Sequence, residues 1–254
     1  MMKIITDNLK RVSICSLAFV GLSCGANAQV LKPELKPGIE DGIAQGPVIM
    51  QDIDGYKFVW NEGKTHFVYQ LKGEGKEVKF LEKVRFFYIG ETMIQLKVIQ
   101  FKQVKVKLEE GKQLKDLPEI EILKKHATWE SDWVKEMIKQ PELAVVKKAV
   151  KLNEKKEALF WYIEMPAKIK KDANVEELDE KVGPEDIPFA QCYLTMVDHE
   201  NIVLMNTFIM KKEDALDAEK FLLNQMNRIQ FSDKPVNFTV EQKKIVEAAK
   251  ALKK

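Results

Sequence analysis

His126 and Glu130 stand four residues apart in the stretch DLPEIEILKKHATWESDWVKEMIKQ, which runs from Asp116 to Gln140. That spacing is just over one helical turn, so the two side chains can meet on one face. An imidazole beside a carboxylate is the pair that general acid–base chemistry uses, with the ring moving the proton and the carboxylate orienting the ring. Trp129 and Trp133 flank the pair at helical spacing and could offer an aromatic ligand surface. His126 and Glu130 are the candidate catalytic residues, and Trp129 and Trp133 the candidate ligand-binding residues. No metal site is expected, because zinc needs a third and usually a fourth ligand, and His66 and His199 fall in other predicted elements. The same residues have a structural reading, in which His126 and Glu130 are a satisfied polar pair and the indoles are core. Truncating Trp129 would then cost about 3–5 kcal/mol. The surroundings of His126 and Glu130, core or cleft, separate the two readings.

Other reactive residues read as structural. Cys192 sits inside an apolar strand and reads as a packed, inert thiol. His66 is expected to be an exposed cross-strand residue, opposite the face of Phe67 and Tyr69, and His199 a solvent-exposed residue at a turn tip. There is no glycine-rich phosphate loop, paired CxxC, HExxH or GxSxG pattern, and no cofactor is implied.

The segment that carries His126 reads as a helix over 116–140. Asp116 is the expected N-cap, Pro118 lies in the first turn, Glu119 completes a capping-box spacing, and Pro141 ends it. At 100° per residue, Glu121, Lys124, Lys125, Thr128, Ser131, Asp132, Lys135 and Lys139 share one polar arc. His126 and Glu130 project from the other, apolar side.

Upstream, residues 48–104 are β-rich. Tyr56, Phe58 and Trp60 alternate on one strand and Phe67, Tyr69 and Leu71 on the next, around Asn61-Glu62-Gly63-Lys64, a hairpin signal within an antiparallel meander. Strands are expected at 48–53, 85–89 and 93–104, and a charged connector at 105–115. Residues 143–150 fit either a short helix or an edge strand. Downstream, 157–254 holds strands and helices. The runs 159–165, 190–197 and 202–209 are apolar on both faces and read as central strands, the last two joined at Asp198-His199-Glu200-Asn201. Residues 167–188 read as a long acidic loop, 213–229 as a second amphipathic helix, and 239 onward as a final helix with a capping-box start at Thr239. The expected fold class is α+β: a mostly antiparallel sheet packed by two long amphipathic helices, α/β/α sandwich-like, in one domain over 48–254.

The N-terminus has the layout of a signal peptide over 1–28. Lys3, Lys10 and Arg11 precede an apolar run from Val12 to Leu22, and Ala26-Asn27-Ala28 is a small-x-small cleavage site. A run of roughly 11 residues is shorter than the roughly 20 that cross a bilayer. Cys24 offers a rival, lipid-anchored reading, although Gly21-Leu22-Ser23 lacks the usual aliphatic residue before such a cysteine. Residues 29–47 read as an extended lead-in. The whole chain has a formal charge of +2, which the leader accounts for. The remainder is near neutral, with no basic field for nucleic acid. No transmembrane segment is expected in the mature chain. Only Cys192 remains beyond the leader, so no internal disulfide can form.

Phe189 to Phe231, FAQCYLTMVDHENIVLMNTFIMKKEDALDAEKFLLNQMNRIQF, gives the order strand, hairpin, amphipathic helix, short extended end. This resembles the C-terminal half of Mog1/PsbP-like α/β/α sandwich proteins. The resemblance implies an architecture of small binding and accessory proteins without one shared catalytic site.

Three function classes follow. The first is an exported, periplasmic or secreted non-enzymatic binding or accessory protein, with a protein partner or a small apolar ligand. The second is a hydrolase-like enzyme using His126 and Glu130. The third is a lipid-anchored envelope assembly factor.

Overall fold

The computed structural model describes residues 39–44, 46–80, 86–154, 156–166 and 188–252. The signal-peptide reading of 1–28, the first part of the lead-in, Arg85, and nearly all of the acidic loop lie outside the described residues.

Thirteen strands are described. The lead-in ends in structure rather than as loose chain: β1 (Ile39–Glu40) and β2 (Ile43–Ala44) form a small hairpin, and β3 (Gly46–Asp52) follows. Next come β4 (Gly55–Glu62), β5 (Thr65–Lys72), β6 (Val78–Phe80), β7 (Phe86–Ile89) and β8 (Thr92–Gln100). The later strands are β9 (Val145–Lys151), β10 (Glu157–Glu164), β11 (Ala190–Asp198), β12 (Asn201–Ile209) and β13 (Ile229–Phe231). Three α-helices accompany them among the described residues: α1 (Glu119–Met137), α2 (Ala215–Met226) and α3 (Phe238–Ala251).

Every strand pairing is antiparallel. The expected single meander divides between two larger sheets. One has seven strands in the order β6-β7-β8-β12-β11-β10-β9, the other four in the order β13-β5-β4-β3. The runs that are apolar on both faces become β10, β11 and β12, in the middle of the larger sheet, and 145–151 becomes its edge strand β9.

Alternation along β11 sorts the core into two layers. Cys192, Leu194 and Met196 point into the layer shared with the four-stranded sheet and α2, where Phe58, Trp60, Phe67, Tyr69 and Leu71 of the hairpin are fully buried with Leu222 and Met226. Tyr193 and Val197 point the other way, onto α1, whose Ile122, Leu123, Ala127, Val134 and Ile138 are buried. Each such leucine, isoleucine or valine contributes about 1.5–3 kcal/mol by leaving water. A third, smaller layer joins Met50, Val59 and Val68 on the back of the four-stranded sheet to Phe238 and Ile245 of α3. A second sheet thus stands where a simple α/β/α sandwich would place only helices.

Local chemistry explains several departures from the sequence expectation. Helix α1 does not start at Asp116. That residue closes a 3₁₀ turn over Leu114–Asp116, and its carboxylate accepts the Gln113 N–H at 2.7 Å. The helix starts after Pro118, whose carbonyl accepts from the N–H groups of Glu121 and Ile122. It ends at Met137, with the Gln140 N–H reaching back to the Lys135 carbonyl and Lys139 at φ +55°. Ser131 leaves the polar arc: it is buried, its hydroxyl donating to the Thr128 carbonyl. The second helix is shorter than expected, because Ile229 pairs with Tyr69 and opens β13 instead. Helix α3 is capped by Asn237, whose side chain accepts the Val240 N–H, and not by Thr239. Glu241 instead forms a largely buried ion pair with Lys57 of β4 at 3.2 Å. His66 is buried at 8% exposure, not exposed, since α3 and the chain leading to it cover the outer side of its sheet.

Candidate functional site

Helix α1 crosses β9, β10 and β11 and turns one face onto them. His126 lies at the centre of that face, 0% exposed. Its ring meets Trp161 of β10 edge-on, with centroids 6.4 Å apart, and lies 5.9 Å from the ring of Trp129. Trp161 stacks flat on Tyr193, its cross-strand partner on β11, at 3.9 Å and 2°. One register row therefore runs Gln95, Asn206, Tyr193, Trp161, Lys147 across β8, β12, β11, β10 and β9. In that row the Asn206 amide donates to Gln95 Oε1 at 2.7 Å, and Lys147 Nζ lies 2.6 Å from Thr128 Oγ1 of α1.

The polar atoms at the centre are not satisfied. Neither nitrogen of His126 has a hydrogen-bond partner, and neither does Trp161 Nε1, although both side chains are fully buried. Glu130 Oε2 is 4.0 Å from His126 Nε2, beyond hydrogen-bond range. Burial pushes the His126 pKa down to about 4. The carboxylate of Glu130 opposes that shift and the ammonium of Lys97 adds to it. The imidazole is therefore neutral at pH 7.

The four candidate residues from the sequence come together on this face, in unequal environments. His126 is sealed, Glu130 has a side chain 12% exposed, and Trp129 and Trp133 are half-buried at the edge of the layer. The indoles are flanking residues, so the core role expected for Trp129 is corrected to a partial one. His66 and His199 sit elsewhere, at the end where the two sheets meet. Burial lowers the His66 pKa there against the opposing charge of Asp198. His199 is at the exposed β11–β12 turn, as expected. Cys192 is fully enclosed and its thiol is pushed up to about 12 by burial, which fits an inert packed thiol.

Sequence reasoning missed Trp161, Tyr193 and Lys97. The indole and phenol were absorbed into apolar strands, where only strand register could place them beneath His126. A signal did exist in β8: Gln95 and Lys97, two residues apart, put polar groups on one face of an otherwise apolar run.

Chemically, the arrangement is poorly built for general acid–base turnover. A general base must exchange its proton with substrate or water, and this ring is enclosed and held neutral. Among the described residues, no group of three or more His, Cys, Asp or Glu side chains could hold a metal ion, and no helix is long and apolar enough to cross a membrane.

No protein-family model matches the chain, and no curated protein matches it. Among solved structures, the solution structure of cyanobacterial PsbP (CyanoP) from Synechocystis sp. PCC 6803 matches over 77% of this chain and 96% of that one, with 10% identity and a TM-score of 0.36. The α+β class rests on the chain's own antiparallel sheets and helices; the likeness to PsbP is weak and at the level of fold.

Proposed function

We propose that this chain is an exported, non-enzymatic binding or accessory protein of the periplasm or envelope, and that it holds a small, mostly apolar ligand at the seam between α1 and the seven-stranded sheet. One observation carries the reading: His126 and Trp161 bury three hydrogen-bonding nitrogens that no protein group satisfies. Buried polar groups nearly always find partners. A leucine at 126 would fill the space without stranding any polar atom, so the imidazole lowers stability where it stands. Residues that break a local rule without a compensating gain cluster at functional sites.

The half-buried Trp129 and Trp133 supply apolar contact at the edge of the same layer, and Glu130, its side chain 12% exposed, lies 4.0 Å from His126 Nε2. The secretory layout of residues 1–28 supports export, and the near-neutral remainder gives no field for nucleic acid. Two measurements test the proposal. Mass spectrometry of the exported chain should find an N-terminus at Gln29; a lipid-modified Cys24 as the first residue would favour the anchored assembly factor instead. Tryptophan emission titrated with small aromatic compounds should shift saturably in the native chain and much less in His126→Leu. Equal responses would remove His126 from the site.

A further inference from the structure

The site proposed above also has a donor and charge pattern, and that pattern selects a class of ligand; the inference rests on the binding reading. Trp161 Nε1–H can only donate, while a neutral imidazole has one donor and one acceptor nitrogen. All three nitrogens are buried without a protein partner. The charges acting on the ring are those of Glu130 and Lys97, opposite in sign. A carboxylate or phosphate placed here would lose its hydration in an enclosed site and stand close to the Glu130 carboxylate, itself 4.0 Å from His126 Nε2. An uncharged hydroxyl or amide has no such penalty. It can accept from the indole N–H and share a bond with the imidazole.

The rest of such a molecule would meet aromatic surface. Trp129 lies beside His126, Trp133 is one turn along α1, and both are partly buried against the same core. Glu130 stands at the edge of this layer, its side chain 12% exposed and its carboxylate 4.0 Å from Nε2. We propose that the seam of α1 with β10 and β11 holds an uncharged, largely apolar molecule with a terminal hydroxyl or amide. Its polar end bonds His126 and Trp161, its body lies on Trp129 and Trp133, and Glu130 is the side chain that moves aside.

The test uses the full chain labelled with ¹⁵N at pH 7.5, probed with p-cresol, benzamide and benzoate. The four tryptophans give four indole N–H signals, and Trp161→Phe identifies the one from Trp161. p-Cresol or benzamide is expected to move the Trp161 signal saturably at millimolar concentration, with benzoate at least about tenfold weaker; a tenfold ratio corresponds to about 1.4 kcal/mol. His126→Leu, which keeps a filled core, should weaken the neutral probes about tenfold. Benzoate binding as well as or better than the neutral probes, with the Trp161 signal moving, overturns the uncharged class and leaves the binding reading standing. A Trp161 signal unmoved by all three overturns both.

Discussion

Replacing His126 by leucine should change how stability depends on pH, in a direction set by the burial of the ring. The folded-state pKa is about 4, against 6.5 for an unperturbed imidazole. Because the folded value is the lower one, the unfolded chain takes up the proton first as pH falls. The stability tied to a neutral His126 is complete above pH 6.5, declines as pH drops toward 4, and declines no further below that. Between pH 7.5 and pH 4.5 this single group should remove roughly 2–3 kcal/mol from the stability of the native chain. Leucine is close in size and does not titrate, so His126→Leu should lack that component. At pH 7.5 the variant should also be more stable by roughly 1 kcal/mol, since it removes two unsatisfied buried nitrogens. Urea unfolding of both proteins at the two pH values measures the double difference, in which the carboxylates and the lowered His66 cancel. Parallel pH profiles, with a double difference under about 0.5 kcal/mol, would refute the argument. So would a variant less stable by more than about 2 kcal/mol at pH 7.5, which would mean that the imidazole is satisfied in the fold.

Other perturbations test the packing around this site. Trp161→Ala should cost about 3–5 kcal/mol in chemical unfolding, as for a fully buried indole, and Trp129→Ala only about 1–2 kcal/mol; equal losses would contradict the flanking placement of Trp129. Lys139→Gly, at φ +55° past the end of α1, should raise stability by about 0.5–1 kcal/mol. Glu241→Ala strands the largely buried Lys57 ammonium and should cost about 2–4 kcal/mol, whereas the double variant Lys57→Met with Glu241→Leu should recover most of it; additive losses would show that the pair is not coupled. Asn237→Ala should lower the melting temperature through the loss of about 1 kcal/mol of capping, with Thr239→Ala nearly silent.

Local signals carried far in this chain, and non-local ones did not. The hairpin of β4 and β5 was legible because Gly63, at φ +60°, sits between two runs of alternating aromatics. The three central strands were legible because both their faces are apolar. What alternation does not encode is which sheet a strand joins. Strands β5 and β6 are separated by only a few residues, yet they belong to different sheets. Ile229 extends the helical stripe of α2 perfectly well, but its pairing with Tyr69 decides its state. The two caps differ from expectation for separate reasons: Asp116 bonds within the 3₁₀ turn before α1, and Asn237, two residues ahead of Thr239, takes the capping position of α3. The site was half legible. Helical spacing placed His126, Glu130, Trp129 and Trp133 together, while Trp161 and Tyr193 come from strands far along the chain and depend on the register of β10 with β11.

Buried polar groups around the seven-stranded sheet are not all treated alike, and that contrast bears on what His126 is for. On the side of α2, the Tyr69 hydroxyl is buried in an aromatic core and donates to Gln225 Oε1 at 2.9 Å. At the junction of the two sheets, Thr65 Oγ1 donates to Asp198 Oδ2 at 2.9 Å and accepts from the Asn201 amide at 2.8 Å. The fold thus supplies partners for these enclosed polar side chains, although His66 Nδ1, like the ring of His126, is buried without one. A few ångströms from a carboxylate that could turn toward it, the ring of His126 has none, and neither does the adjoining indole. Loose packing does not account for this, since the same layer holds Trp161 and Tyr193 coplanar at 3.9 Å. A histidine tolerated only as filler would be exchanged for leucine with a gain in stability. A histidine whose nitrogens meet a ligand loses binding in that exchange while the protein grows more stable. Stability gained together with binding lost, both measured on His126→Leu, is the outcome that separates a site from a core residue.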